Sequence, residues 1–422
     1  MRVSYPWAAL VLKLIFEDDE EVVTQPVFPV EVSVEKNSYN EADTAKAELN
    51  FRDFPFDPRM CKSMVMLVHM GVLATPTESP RIDEDNLVFI GFVDVNTIDF
   101  DENNTKVMLE ARDYTALLLD TTYPEETVDL GKPLKDVIEE VLAKEPPFAE
   151  IQVELRGIDE TPVLGDFKSD RNRKQASVKE QNYWDLIVDM TQQSGLICFI
   201  DKDKLVIQEA HSLADDSRIE PFVFGKNLTK LNISRDFRKP SRVNIEVRSY
   251  DDKNKKTLLA RYPDPPLSKK VIVKEDSKEK FEYQRFVVKN INSEEQLKKI
   301  AKSIYWQLVR GEVKGGLSTA ETNSINADNA LLMTLGHGKG IYAGFDFGEG
   351  QIVQTMRPGE RENYLKGLGY ESAIASKLSQ LFDSDKLNGP YYVHKASHKF
   401  TVEEGYGLDL EFINFVDADA NE

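Results

Sequence analysis

The segment Pro390–Val416, PYYVHKASHKFTVEEGYGLDLEFINFV, holds two of the chain's five histidines, His394 and His398, four residues apart. On a helix that spacing puts both imidazoles on one face, where they can share a metal ion. On a strand, four residues span about 13 Å at roughly 3.3 Å each. Two nitrogens bound to one zinc lie within about 4 Å of each other, each bond being about 2 Å. The residue pattern selects the strand. Tyr392, His394, Ala396, His398, Phe400 and Val402 alternate with Tyr391, Val393, Lys395, Ser397, Lys399 and Thr401, and the second set is mostly polar. Glu403–Gly407 has turn composition, after which Leu408, Leu410 and Phe412 alternate with Asp409 and Glu411. The segment is expected to be a β-hairpin with one apolar face, its histidines partly buried rather than metal-bound.

The same period recurs toward the N-terminus. Val30, Val32 and Val34 alternate with Glu31, Ser33 and Glu35, and Ala45, Ala47, Leu49 and Phe51 with Lys46, Glu48, Asn50 and Arg52. Leu87–Asp101 and Thr105–Tyr114 flank a polar turn. The apolar Tyr5–Phe16 contains a lysine and runs into the acidic EDDEE of residues 17–21, which fits a first strand rather than a signal peptide. One internal echo appears: Val93 precedes Phe100 by seven residues, as Val393 precedes Phe400. Each pair is followed by an acidic turn and a second alternating strand (Val107, Leu109; Leu408, Leu410).

Helical periodicity interrupts the strands. Leu134, Val137, Ile138, Val141 and Leu142 form a stripe behind Pro133. Trp184, Ile187 and Met190 mark a helix ending at Gly195, which feeds a hairpin turning at residues 201–204. Ser293 and Gln296 form a capping-box pattern before Leu297, Ile300, Ala301, Ile304, Tyr305 and Leu308, with Gly311 placed to end that helix. A further helix is expected over residues 371–382, carrying Ile374, Leu378, Leu381 and Phe382. Strands are expected at 228–236 and 242–250, and the polar, proline-bearing stretch 251–270 reads as a surface loop. The fold class is therefore α+β, mainly antiparallel β.

Length and composition bound the function. A chain of 422 residues suggests two to four domains. No apolar run approaches the roughly 20 residues of a membrane helix. A net charge of −20 opposes phosphate binding, which needs clustered Lys and Arg. Cys61 and Cys198 lie in apolar stretches, as buried reduced thiols do. The glycines of residues 336–340, GHGKG, lack the Lys-Ser/Thr ending of a phosphate loop. With 73 Asp and Glu residues, no single carboxylate pair marks a glycosidase site. His69 and His211 have no motif around them, and no Gly-x-Ser-x-Gly or His-Glu-x-x-His occurs. No catalytic, cofactor or metal-binding residue is assigned.

Four segments in order carry a resemblance: Val30–Phe51, Phe89–Leu118 with its Gly-x-Val-Asp strand, Asn182–Ile207, and Tyr391–Phe412. Together the chain resembles the baseplate or tail hub proteins of contractile-tailed phages and related contractile injection systems, of the late control protein D type. The resemblance implies two tube-like β-barrel domains, at 1–125 and 218–422, with an inserted α+β domain at 126–217 and helical insertions in the second barrel. It implies a homotrimer whose six similar domains join a hexameric tail tube to a trimeric central spike. The partners implied are a tail tube or tube-initiator protein and a spike on a separate polypeptide, with tape measure and baseplate wedge proteins as further neighbours. DNA would only transit the channel. Three copies of a −20 chain carry −60 formal charges; acids lining a bore would let DNA pass, or the charge serves solubility alone. The expected location is the virion tail baseplate, assembled in the host cytoplasm, with no membrane insertion by this chain. The expected role is structural and non-enzymatic, without cofactors. Two alternatives stand beside it: the hub of an extracellular contractile injection or type VI-like device, and a cell-wall or carbohydrate-acting enzyme. Contacts between copies are expected at the hairpin edges and one loop, through Val30, Val32, Val34, Phe51, Pro263, Pro266, Tyr392, Phe400, Leu408 and Phe412.

Overall fold

The alternating stretches of the sequence build, among the described residues, one large sheet and three small ones. The computed structural model describes residues 5–18, 20–37, 41–52, 57, 60–100, 105–124, 127–129, 132–158, 161, 175–177, 181–209, 220–224, 227–228, 230–235, 243–251, 254–266, 283–288, 291, 293–309, 313–319, 332–333, 335, 339–345, 358–381 and 389–414. The first strands are β1 (Tyr5–Ile15), β2 (Glu21–Val23), β3 (Glu31–Lys36), β4 (Thr44–Asn50), β5 (Ser63–Leu73), β6 (Leu87–Phe100) and β7 (Thr105–Arg112). There follow α1 (Tyr114–Asp120), β8 (Thr127–Asp129), α2 (Leu134–Leu142), β9 (Gln152–Arg156), β10 (Gln175–Ser177), α3 (Tyr183–Gln193), β11 (Leu196–Asp201) and β12 (Lys204–Glu209). Next come β13 (Glu220–Phe224), β14 (Lys230–Arg235), β15 (Asn244–Asp251), β16 (Lys256–Tyr262), β17 (Tyr283–Val287) and α4 (Glu294–Val309). The chain continues through β18 (Val313–Ser318), β19 (Gly340–Phe345), α5 (Pro358–Gly367), α6 (Ser372–Leu381), β20 (Gly389–Thr401) and β21 (Gly405–Asn414).

Among the described residues the large sheet has 13 strands, and its main path runs β14-β18-β21-β20-β3-β4-β7-β6-β5-β1-β2. Every pair along that path is antiparallel. The inner residues of both sequence ends share one core: Leu10 and Leu12 of β1, Val32 and Val34 of β3, and Leu408, Leu410 and Phe412 of β21. The sheet curls enough for β1 to lie against β21. Hydrogen bonding passes from β4 through β3 to β20, so strands from both ends of the chain lie in one continuous sheet.

The expected hairpin β20–β21 forms, but its alternation breaks once. The register shifts between Val393 and Lys395, leaving His394 as the extra residue of a β-bulge. The face of every residue before it is thereby reversed: Tyr391 and Val393, expected on the polar side, enter the core with Ala396. Hairpin β6–β7 has its register shift at the matching point, between Val93 and Val95, with Asp94 as the extra residue. Val93 stands opposite Ala111, and Val393 opposite Phe412. The seven-residue Val-to-Phe echo of the sequence is thus two hairpins bulged at the same place. Gly91 of the Gly-x-Val-Asp strand sits tight against the Arg112 backbone and the Phe89 ring, with no room for a Cβ.

A second core unites the insert with residues well beyond it. The whole predicted α2 stripe, Leu134, Val137, Ile138, Val141 and Leu142, is buried there with Trp184, Ile187 and Met190 of α3. Hairpin β11–β12 pairs as expected and adds β9 in parallel. Gly195 closes α3 with φ +75 and abuts Ile300 of α4. Strands β16-β15-β17 form a three-stranded sheet whose Ile245, Val247, Leu258 and Ala260 join this same core beneath α4. The stretch 251–270, read as a loop, contains strand β16. Its Leu258 and Ala260 are buried while Leu259 and Arg261 are exposed, a period-two pattern that the flanking lysines and prolines conceal. In α4 the Gln296 N–H bonds the Ser293 hydroxyl at 3.4 Å, as the capping pattern requires. In α6, Ala375 rather than Ile374 is buried; Ile374 is 47% exposed. Gly311 and Phe382 lie outside the described residues, as do the side chains of Leu378 and Leu381.

Candidate assembly interface

Both ring nitrogens of His398 are engaged within the protein. The ring is fully buried, with Nε2 2.7 Å from the Leu335 carbonyl and Nδ1 2.7 Å from the Tyr406 hydroxyl. A carbonyl can only accept, so Nε2 carries the proton and Nδ1 accepts from the tyrosine. Burial, reinforced by the charge of Lys36 and opposed by the Leu335 bond, lowers the His398 pKa to about 3. His398 is a neutral structural crosslink between β20, β21 and the segment at Leu335. Among the described residues no three His, Cys, Asp or Glu side chains gather as a metal set. Of GHGKG, Lys339 and Gly340 are described, and Gly340 opens strand β19. Cys198 is buried, and burial pushes its thiol up to about 12, while Cys61 is only partly buried. No helix among the described residues is long and apolar enough to cross a membrane.

The ten residues singled out for contacts between copies separate into three groups. Val32, Val34, Leu408 and Phe412 are at most 2% exposed and serve this chain's own core. Tyr392 is buried too, and Phe51 and Phe400 lean on the rim of that core. Val30, Pro263 and Pro266 reach solvent, Val30 at 40% and the two prolines partly, just past β16. The hairpin edges expected to meet a neighbour are already filled: β3 lies between β20 and β4, and β20 between β21 and β3. Among the described residues the path instead ends at β14 and β2, each paired on one side only.

The outward face of the central strands carries a ladder of ion pairs. Lys395 meets Glu35 and Lys399 meets Glu31, each at 3.0 Å, linking β20 to β3. Lys46 meets Glu110 at 3.0 Å and Lys106 meets Glu48 at 2.6 Å, linking β4 to β7. Arg112 bridges Asp94, the bulge residue of β6, and Asp120 of α1. Each exposed pair contributes at most about 1 kcal/mol. Their joint effect is a face on which four lysines neutralise four glutamates. The signal was present in the sequence as sign segregation: outward positions of β3 are acidic, and those of β20 basic.

Where the sheet meets the insert, Lys36 lies 3.8 Å from Asp201, which Arg156 also holds at 3.0 Å. Burial alone would raise the Asp201 pKa; the charges of Lys36 and Arg156 outweigh it and hold it far below the usual carboxylate range. These pairs fix hairpin β11–β12 against the end of β3.

No family model and no curated protein matches the sequence. Among solved structures, the tail protein of Neisseria meningitidis MC58 aligns over 97% of this chain and 97% of its own, at TM-score 0.55 and 11% identity. The 43 kDa tail protein of prophage MuSo2 from Shewanella oneidensis aligns over 97% of this chain and 98% of its own, at TM-score 0.51 and 12% identity. The fold is shared with phage tail proteins. The tail-protein likeness runs nearly end to end, so it takes in the large sheet, the insert and the three-stranded sheet together.

Proposed function

We propose that this chain is a structural, non-enzymatic hub of a phage tail baseplate, working as a homotrimer between a sixfold tail tube and a threefold spike. The observation that carries this reading is the repeat inside the large sheet. Crossing the sheet from β14 to β2 meets a hairpin bulged directly after a valine, Val393 or Val93, twice in the same sense, β21 then β20, and later β7 then β6, while the β6–β5 pair carries a further register shift at Val68/His69. A head-to-tail repeat within one chain is what a ring needs if three chains are to present six like units. The end-to-end tail-protein fold supports the same reading. We take the two hairpin-centred halves of the sheet as the tube modules, the insert as an outward attachment, and the ion-pair ladder as the face toward the bore. Charges paired within that face leave few free cations to grip passing phosphates. The spike and the tube protein are then the partners, and the virion tail tip the location. Light scattering or mass photometry of the purified chain should give a trimer; a species that stays monomeric at all concentrations overturns the reading.

A further inference from the structure

The outward face of sheet β16-β15-β17 carries a charge opposite to that of the chain. Glu246, in the middle of β15, has a side chain only 2% exposed, yet three guanidinium groups converge on it. Arg248 lies 2.6 Å away, Arg261 2.9 Å and Arg285 3.3 Å. The register explains the convergence, since Arg261 of β16 and Arg285 of β17 stand directly opposite Glu246 on either side. Burial alone would raise the Glu246 pKa; hydrogen bonds from Arg248 and Arg261 outweigh it and hold the carboxyl ionised, below its ordinary range. Among the described residues of this face, three guanidiniums stand against one carboxylate, an excess of two positive charges. Arg261 also lies over the Tyr283 ring, 4.8 Å from its centroid. The next row of the same face is apolar and exposed: Leu259 at 40% and Val287 at 79% flank Arg248, with Tyr250 at 49% beyond. Arginine, tyrosine and exposed aliphatics on one flat face are the composition of an interface centre, not of a solvated sheet.

The chain bears its own complement elsewhere. At the free end of the large sheet, the β1–β2 turn exposes Glu17, Asp18, Glu20 and Glu21, and β2 continues with Val22 at 40% and Val23 at 53% exposure. Lys13 offsets one of these acids, at 3.9 Å from Glu21. We infer that the arginine face of one copy receives the acidic β1–β2 edge of the next, so that identical copies join head to tail. Acids meet the arginines, and Val23, on the same side of β2 as Glu21, covers Leu259 and Val287. This inference deepens the trimeric-hub reading and rests on it. A contact between two different patches repeats by rotation and closes when the ring is complete.

The test uses the full chain and variants that leave Glu246 and its arginines intact. One variant is Leu259→Glu with Val287→Glu; the other is Glu17→Lys with Glu20→Lys and Glu21→Lys. Circular dichroism checks that each keeps its fold, and mass photometry reads its assembly. Wild type should be a trimer and each variant alone a monomer. An equimolar mixture of the two variants should give a dimer and stop there, because one intact junction remains between unlike copies. Loss of the trimer should also follow rising salt in wild type. Variants that trimerise like wild type, or a mixture that stays monomeric, overturn this contact while the hub reading stands. A monomeric wild type overturns both.

Discussion

At the scale of single residues, His398 contributes to the response to acid. Its folded pKa is depressed to about 3 from an ordinary 6.5, so the folded protein holds it neutral while the unfolded chain protonates it. Its contribution is complete above pH 6.5 and is lost as pH falls toward 3, by about 1.4 kcal/mol per pH unit. A His398→Gln variant should be less stable at pH 7 by about 1–3 kcal/mol, having lost one buried partner, but should show a flatter acid limb in thermal melts between pH 6.5 and 3. An unchanged acid limb would show that the imidazole is not the titrating group. Gly91 makes a second case. A methyl there meets the Arg112 backbone, which cannot swing aside, so Gly91→Ala should cost about 1–3 kcal/mol as overpacking does. Denaturant unfolding measures it, with Gly407→Ala, where a Cβ meets nothing, as the neutral control. The sequence showed the glycine of Gly-x-Val-Asp without its reason, because the obstructing backbone belongs to the partner strand.

At the scale of elements, the bulges decide which side chains face the core. Deleting His394 restores strict alternation in β20 and turns Tyr391 and Val393 outward. With about 1.5–3 kcal/mol per buried side chain exposed, the deletion should lower stability by several kcal/mol in a thermal melt. A melt like wild type would mean the hairpin tolerates either register. The ladder makes a different prediction. Changing Glu31, Glu35, Glu48 and Glu110 together to Gln leaves four lysines uncompensated on one face. That variant should bind duplex DNA at low salt, where wild type does not, and release it as salt rises. The same affinity in both proteins removes the case for a charge-balanced passage. Helix faces were the most legible elements: the α2 stripe read from 134–142 is buried residue for residue. Strand β16 was not legible, since lysines before it and prolines after it give the stretch the composition of a loop.

At the scale of the whole molecule, strand order decides which hairpin edges of the described sheet are already paired. The sheet fills every hairpin edge that the sequence offered for contacts, and along its path leaves β2 and β14 as its ends. Truncating the chain before β3 removes β1 and β2, and with them an edge of the sheet and Leu10, Leu12 and Leu14 of its core. The truncated protein should lose cooperative unfolding, which differential scanning calorimetry can read. What the sequence alone determined is local: strand and helix periods, caps and turns, and the excess of acid. Each of those depends on residues a few positions apart, where steric and hydrogen-bonding preferences act directly on the chain. Only the tertiary structure decided that β3 joins β20 across more than half the chain, that two bulges match, and that three arginines from separate strands meet one glutamate. Those outcomes depend on strand order and register, which are set by burying the shared core, and no local stretch carries that information.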